Sequence, residues 1–399
     1  MGYKLRRRPP VPNLALILSS LLLPVAWLIP ALQGIETGHY LEPLLSGLAI
    51  VAAAFLLSWA TELAEIYVPP AFALIVLALV SVLPEYAIDI HFAYTAATRP
   101  EYVEYAVANM TGANRLLVGL GWSMLVFVLF MKTRIRSMEV DPSQRTPLSF
   151  LLIATLYSFI LPLKGTISIW DSAVLLLIFL AYVRRALRAE AEEAPLVGPA
   201  GWIAERCSDA SRIAIIVSFL VYACLVIWCS AEPFADGLVA VGLGWNIDEY
   251  ILVQMIAPLA SEAPEFIVAI LFVLKGRAST ALGALISSKV NQWTLLVGAI
   301  PIAYSVGSGE ILALELAARP QEELLITSAQ SLFAVAILAD LRFRLGEALL
   351  LFVLFSLQLL LPFEGVRYAF SGLYFLLILV LGFGSRQRQN DLSRLLRPE

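Results

Sequence analysis

The sequence is poor in charge and in the residues that usually carry enzyme chemistry. Only 15% of its 399 residues are charged, while 60% are hydrophobic; a soluble globular protein has about 25% charged residues. It has three cysteines, Cys207, Cys224 and Cys229, whose spacing matches neither a metal site nor a disulfide framework. No glycine-rich phosphate loop, nucleophile triad or Cys/His metal motif is present. We therefore expect a polytopic membrane protein with no enzymatic activity, no bound cofactor and no nucleic-acid partner.

Long apolar runs dominate what is present. A membrane-spanning helix needs about 20 mostly apolar residues. Twelve stretches meet this expectation, near residues 12–32, 41–66, 70–97, 105–131, 147–163, 167–187, 211–236, 247–274, 278–307, 322–341, 345–362 and 366–384. The first follows a basic segment without a small-residue cleavage signature, so we expect it to be retained as a helix.

The basic residues indicate the orientation of these spans. With twelve spans, the clusters at Arg6–Arg8, at 132–145, at Arg184–Arg188 and in the tail all fall on one side of the membrane. Basic loops stay in the cytoplasm, so both termini are predicted to be cytoplasmic. We expect a multi-pass integral protein, in the plasma membrane of a prokaryote.

A polar segment divides the chain into two halves. Residues 189–210 form a predicted cytoplasmic linker between a first repeat, 37–188, and a second repeat, 211–363. Each half holds five predicted spans, and because five is odd the second half enters the membrane inverted. Segments 1–36 and 364–399 each add one transmembrane helix. The predicted fold is an all-α membrane protein with two inverted five-helix repeats, a ten-helix core and one extra helix at each end.

A proline-glutamate pair lies in the middle of an apolar run in each half. Pro84-Glu85 falls in the third span and Pro264-Glu265 in the eighth. An acid in a membrane segment is costly and indicates function, and an adjacent proline is expected to break the helix and free backbone carbonyls. Alternatively, the two glutamates could form ion pairs with lysine or arginine that stabilise the helix bundle. This is less favoured, because burying a salt bridge carries a large desolvation cost. We predict a cation site between the repeats, with Glu85 and Glu265 as its central metal ligands.

Further polar residues lie close to the two glutamates in sequence. Along the third span the spacing i, i+4, i+8 puts three of them on one helical face, and the eighth span carries a similar group; the residues are Ser81, Glu85, Asp89, Ser261, Glu262 and Glu265. Four carboxylates and two hydroxyls at mid-membrane suit a hard cation such as calcium or sodium. All six are predicted cation-binding residues.

The next helix in each half is also polar. It contains Asn109 to Arg115 in the first half and Gly283 to Trp293 in the second. Small residues in these stretches permit close helix packing. Ser288 and Gln292 are predicted to supply neutral oxygens to the cation site; the alternative is that they only form hydrogen bonds between helices.

The order of these four motifs resembles the calcium/cation antiporter superfamily, which includes the sodium/calcium exchangers. Each repeat of that family has a Gly-Thr-Ser-Leu-Pro-Glu-like motif followed by a Gly-Asn-x-x-Gly-Ser-Asn-like motif. The resemblance covers residues 37–363 and implies a ten-helix core with alternating access. It gives Glu85 and Glu265 the positions of the family's calcium-binding glutamates. It also matches Ser81 and Ser261 to the family's threonines, and Ser288 to its second-motif serine.

Several positions depart from the family pattern. Ala113 replaces a serine, Leu117 replaces a polar residue, and Lys289 stands where an asparagine is usual. We predict that Lys289 tunes the charge of the site as a tethered cation bonded to Glu262, Glu265 or Asp89, unless its side chain extends to a water-filled vestibule. Arg115 is the second predicted charge-tuning residue. If all six are ionised, the four acids and two bases of the predicted site carry a formal charge of minus two; they are Glu85, Asp89, Glu262, Glu265, Arg115 and Lys289.

The favoured function is a secondary antiporter that moves calcium or another divalent cation in exchange for protons or sodium, without ATP. Its predicted partners are inorganic cations and the lipid bilayer, and the pattern indicates no oligomeric state. One alternative is a sodium/proton exchanger in which Lys289 replaces one cation. Another is a transport-inactive membrane scaffold or sensor of the same fold. The missing family ligands at Ala113 and Leu117 favour protons over sodium as the coupling ion.

Overall fold

A computed structural model of the chain describes residues 11–35, 38, 40–67, 82–187, 196–361, 363–383 and 395. The helices are α1 (Val11–Leu32), α2 (Leu41–Ala64), α3 (Leu83–Thr95), α4 (Tyr102–Leu116), α5 (Ser123–Thr133), α6 (Arg145–Ser158), α7 (Ile160–Lys164), α8 (Ile169–Ala186), α9 (Gly198–Arg206), α10 (Asp209–Trp245), α11 (Glu249–Leu274), α12 (Ala278–Asn291), α13 (Val297–Ser308), α14 (Ala318–Leu338), α15 (Leu345–Leu360) and α16 (Glu364–Phe383). The described chain is thus mostly helical, as predicted.

Two π-helical turns occur at the same place in the two halves. Leu117–Trp122 joins α4 to α5, and Gln292–Leu296 joins α12 to α13. A π-turn is rare and often marks a functional site, because the extra residue changes the direction in which side chains point. Each turn here follows directly after the polar helix that the sequence singles out.

Short strands join loops that are far apart in sequence. Strand β1 (Ser137–Glu139) pairs antiparallel with β4 (Arg342–Arg344), and β2 (Thr166–Ile167) pairs antiparallel with β3 (Leu314–Glu315). Each pair therefore links a loop of the first half to a loop of the second. The two pairs hold the ends of the helices in register around the polar interior.

Contacts between helices from different parts of the chain build the core. Helix α10 packs along α2, α11 packs against α4, and α14 packs against α16. The tightest approach is at Gly112 of α4, where an added Cβ would lie 1.9 Å from the backbone oxygen of Gln254 in α11. Only a glycine permits this spacing. It brings the polar faces of α4 and α11 together.

Six helical stretches of the described chain are long and apolar enough to cross a membrane. They are Asn13–Leu32, Leu41–Ala64, Tyr102–Thr133, Pro142–Lys164, Asp209–Trp245 and Glu249–Leu274, and α15 and Gly365–Leu381 are shorter apolar helices. Large apolar side chains such as Trp228 and Leu177 are exposed on the outside, as expected for surfaces that face lipid. The count of twelve spans remains a prediction.

Four sequence-based details require correction or restriction. Helix α10 continues nine residues past the predicted end of its span at 236. The predicted linker contains a helix, α9, which packs on α2. Pro264 does not break α11, which runs without interruption through it. A proline removes one backbone hydrogen bond, and packing of this long apolar helix keeps the turns on either side in place. Part of the third predicted span, 70–81, lies outside the described residues.

Candidate functional site

Helices α3 and α11 carry the predicted acids into the interior. Pro84 lies in the first turn of α3, where a missing N–H costs little, and Glu85 follows it. Glu85, Asp89 and Glu262 are at most 2% exposed. Glu265 is partly buried. Ser81 lies outside the described residues, so its predicted role stays a prediction.

The side-chain amide of Gln292 joins two of these acids. Its Nε2 donates to Glu85 Oε2 at 2.9 Å and to Glu262 Oε1 at 2.7 Å. Gln292 is the first residue of the second π-turn, and the turn directs its side chain between α3 and α11. Two N–H groups thus face two carboxylates that would otherwise repel each other in a medium of low dielectric constant.

The other predicted ligands have different partners. Ser288 Oγ donates to Glu265 Oε2 at 2.8 Å, which joins α12 to α11. Ser261 Oγ instead donates within its own helix, to the backbone oxygens of Ala257 and Pro258 at 3.2 Å. Ser261 is therefore bonded to backbone, and Ser288 is the hydroxyl that contacts a site carboxylate.

Asp89 is held by a residue that the sequence argument did not assign. Asn109 Nδ2 of α4 donates to Asp89 Oδ1 at 2.8 Å, and both residues are fully buried. The sequence contains a signal for Asn109, because a side-chain amide in a predicted membrane span requires a hydrogen-bond partner when it is buried. Which partner it takes depends on how α3 and α4 pack.

Several buried oxygens in this region have no hydrogen-bond partner among the described residues. They are Glu85 Oε1, Asp89 Oδ2, Asn109 Oδ1, Glu262 Oε2 and Gln292 Oε1. Buried oxygens without donors are costly, and a cluster of them is the donor set that a hard cation prefers. However, no three Asp, Glu, His or Cys side chains of the described chain lie close enough together to hold one metal ion. The amide of Gln292 stands between two of the acids.

Lys289 is fully buried beside this cluster. Its Nζ donates to Asn114 Oδ1 at 2.6 Å and to the Asn114 backbone oxygen at 3.1 Å, and it lies 4.5 Å from the centre of the Trp293 ring. The expected hydrogen bond to Glu262, Glu265 or Asp89 is not the one formed. The ammonium nevertheless interacts electrostatically with Glu262 and Glu85. Its amine therefore lies next to the acids, held by an asparagine of the other half.

Arg115 is not bonded to any of the four acids of the candidate site. Its Nη2 lies 2.5 Å from Glu323 Oε2 of α14, in a second buried polar cluster. We define the site cluster as Glu85, Asp89, Glu262, Glu265, Ser288, Lys289 and Gln292. With all groups ionised, its four carboxylates and one ammonium carry a formal charge of minus three, one unit more negative than the sum that includes Arg115.

This fold and this cluster define a class of protein, a helical membrane transporter for cations, in which acids and amides meet in the interior of the helix bundle. The family model described as "Sodium/calcium exchanger protein" matches residues 44–187 and 215–364. The chain belongs to this family, within the calcium/cation antiporter superfamily.

Solved structures agree with the family. A crystal structure named H+/Ca2+ exchanger CAX is 44% identical, covers 97% of each chain and has a TM-score of 0.92. A structure of native YfkE is 16% identical over 86% of this chain and 98% of its own, with a TM-score of 0.64. The sodium-calcium exchanger NCX_Mj is 16% identical over 82% and 98%, with a TM-score of 0.53. The last two show the shared fold alone. No curated relative matches the chain.

Proposed function

We propose that the chain exchanges calcium, or a closely similar divalent cation, for protons by alternating access at the site cluster. The observation that carries this proposal is the set of buried carboxylate oxygens without donors, Glu85 Oε1, Asp89 Oδ2 and Glu262 Oε2. One divalent cation and two protons carry the same charge, so the same carboxylates can bind first one and then the other. The similarity to the structure named H+/Ca2+ exchanger CAX supports this pairing.

The neutral ligands favour protons over sodium. The first half offers Ala113 and Leu117 where the family has polar residues. In the second half Ser288 is bonded to Glu265, and Ser261 is bonded to backbone. When protonated, Lys289 adds a positive charge beside the acids that competes with a bound monovalent ion. Few oxygen donors therefore remain for separate sodium positions, whereas a carboxylate needs none of them to bind a proton.

Rotation of the Gln292 side-chain amide is the structural step that we propose for the exchange. In the described state its N–H groups satisfy Glu85 and Glu262 and keep them apart. Calcium takes six to eight oxygen ligands at about 2.3–2.6 Å, so the amide must rotate to present Oε1 before both glutamates can bind one ion. The rotation links ion binding to a change in the contacts between α3, α11 and α12.

The inverted-repeat layout is part of the proposal. Strand β1 follows the fourth predicted span and β4 the tenth, both on the predicted cytoplasmic side, while β2 and β3 follow the fifth and ninth on the opposite side. Each strand pair thus joins loops that the twelve-span arrangement puts on the same side. The two π-turns are also at equivalent places. These features support inverted repeats at 37–188 and 211–363, and the basic clusters of the sequence support both termini in the cytoplasm.

Ion flux in proteoliposomes tests the function. Purified protein is reconstituted, and calcium, manganese, sodium and pH gradients are imposed one at a time. We expect calcium movement that is driven by a proton gradient and is insensitive to a sodium gradient. Calcium movement driven by sodium alone would refute proton coupling. Sodium-proton exchange without calcium movement, or no flux under any gradient, would refute the calcium proposal.

A further inference from the structure

A second buried cluster of charges lies beside the site cluster. Arg115 of α4, Glu322 and Glu323 of α14 and Arg367 of α16 are each at most 7% exposed. We call these four residues the charge quartet. Two acids and two bases give it a formal charge of zero. Nothing in the cation-exchange proposal uses it, although burying four charges is costly unless each is paired.

Glu323 is the centre of the quartet. Its Oε1 lies 2.8 Å from Arg367 Nε and its Oε2 lies 2.5 Å from Arg115 Nη2. Gln254 Nε2 donates to Oε2 at 3.1 Å. Arg367 also reaches Glu322 Oε2 at 2.8 Å. The final helix, α16, is thereby tied through α14 to α4.

The quartet is next to the site cluster along α4. Asn114, the neighbour of Arg115, accepts both hydrogen bonds from Lys289. The Arg115 guanidinium and the Lys289 ammonium repel each other electrostatically. Glu323 therefore holds a cation that would otherwise add to the positive charge beside Glu85 and Glu262.

We propose that Glu323 and Arg367 are positioning residues that hold Arg115 in a neutral quartet, so that Arg115 adds no net positive charge to the four site carboxylates. This inference rests on the proposed calcium exchange. It gives α16 a role in cation exchange, because Arg367 of this helix supplies a positive charge that balances the acids of α14. Other charged or titratable groups that face the quartet are Tyr250, Tyr374, Lys289, and Arg319 with its partner Asp248.

The proposal predicts that removing one charge from the quartet changes the calcium affinity. The direction of the change depends on whether the net charge left on the quartet is negative or positive. Arg367→Gln leaves a surplus negative charge and tightens calcium binding. Glu323→Gln and Glu322→Gln each leave a surplus positive charge and weaken it. A unit charge acting on a divalent ion across the protein interior gives a change on the order of tenfold. The double variant Glu322→Gln/Arg367→Gln is neutral and binds calcium as the wild type does.

The experiment is calcium titration by calorimetry on purified full-length protein at one fixed pH. Arg367→Lys keeps the charge and is expected to keep the affinity, and Arg342→Gln is the matched control because Arg342 is exposed and pairs with Glu139 away from the quartet. A purely structural role would weaken binding in every variant, so shifts of the same sign overturn the inference. Calcium affinities that are equal in the wild type and in all single variants of the quartet also overturn it. If a single variant does not fold, a neutral double variant that differs from wild type by tenfold or more overturns it. Wild-type protein that binds no calcium refutes the proposed function and the inference together.

Discussion

Lys289→Met removes the buried ammonium while keeping the length of the side chain. Nζ donates to two oxygens of Asn114, so the variant leaves one side-chain oxygen without its donor, at a cost of about 1–3 kcal/mol. The desolvation cost of a buried ammonium is removed at the same time. The two effects oppose each other, and we expect the variant to fold.

The effect on calcium follows from the position of Lys289 on α12. Lys289 lies three residues before Gln292, an axial distance of about 4.5 Å, and Gln292 contacts both Glu85 and Glu262. A unit charge and a divalent ion about 10 Å apart repel by roughly 3 kcal/mol at an effective dielectric constant of about 20. Water in the site reduces this figure, and we expect calcium binding to tighten by at least about tenfold.

Calorimetric titration of wild type and variant measures this change directly. Lys132→Met is the control, because Lys132 is exposed and contacts the backbone oxygen of Leu274 away from the site cluster. Unchanged affinity in Lys289→Met would mean that the side chain carries no charge in the ion-free protein. Weaker binding would mean that the ammonium organises the site, and either result would refute the reasoning.

Three further predictions address the site, the packing and the topology. Asp89→Asn, which leaves Asn109 without its carboxylate acceptor, should weaken calcium binding at least about tenfold, and calorimetry that finds no change would remove Asp89 from the site. Gly112→Ala, which drives a Cβ against the Gln254 backbone oxygen, should lower the stability by about 1–3 kcal/mol or more in a thermal-unfolding assay, whereas Gly346→Ala, with nothing within 4 Å, should not. Single cysteines placed at 308–320 in a cysteine-free background should react with an impermeant reagent added outside, whereas those at 133–145 should not; the reverse pattern would contradict cytoplasmic termini.

The sequence is sufficient to predict the elements of the fold. Apolar runs locate most of the described helices within a few residues, because a membrane segment must satisfy its own backbone hydrogen bonds, although α10 extends nine residues past its predicted end. Interruptions are harder to predict. Pro264 lies inside a continuous α11, since tertiary packing outweighs the loss of one hydrogen bond. The two π-turns have no pattern in the sequence that distinguishes them from ordinary helix.

Partners within the site are the part that sequence reasoning could not supply. Glu85, Glu262 and Gln292 come together, but their sharing of one amide depends on the direction in which the second π-turn points the Gln292 side chain. Arg115 was assigned to the site because it follows Asn114, although its partner Glu323 lies far away in the sequence. Such pairings follow from helix packing, which a linear pattern of acids and bases does not contain.

Glu85→Gln tests the central claim most directly. The substitution keeps the size of the side chain and removes the charge that calcium or a proton must neutralise at the middle of the site cluster. Calcium flux driven by a proton gradient is measured in proteoliposomes that contain equal amounts of folded wild type, Glu85→Gln or Glu310→Gln, a control at an exposed acid. The account predicts that flux is lost in Glu85→Gln and kept in Glu310→Gln. Full flux in Glu85→Gln would contradict it.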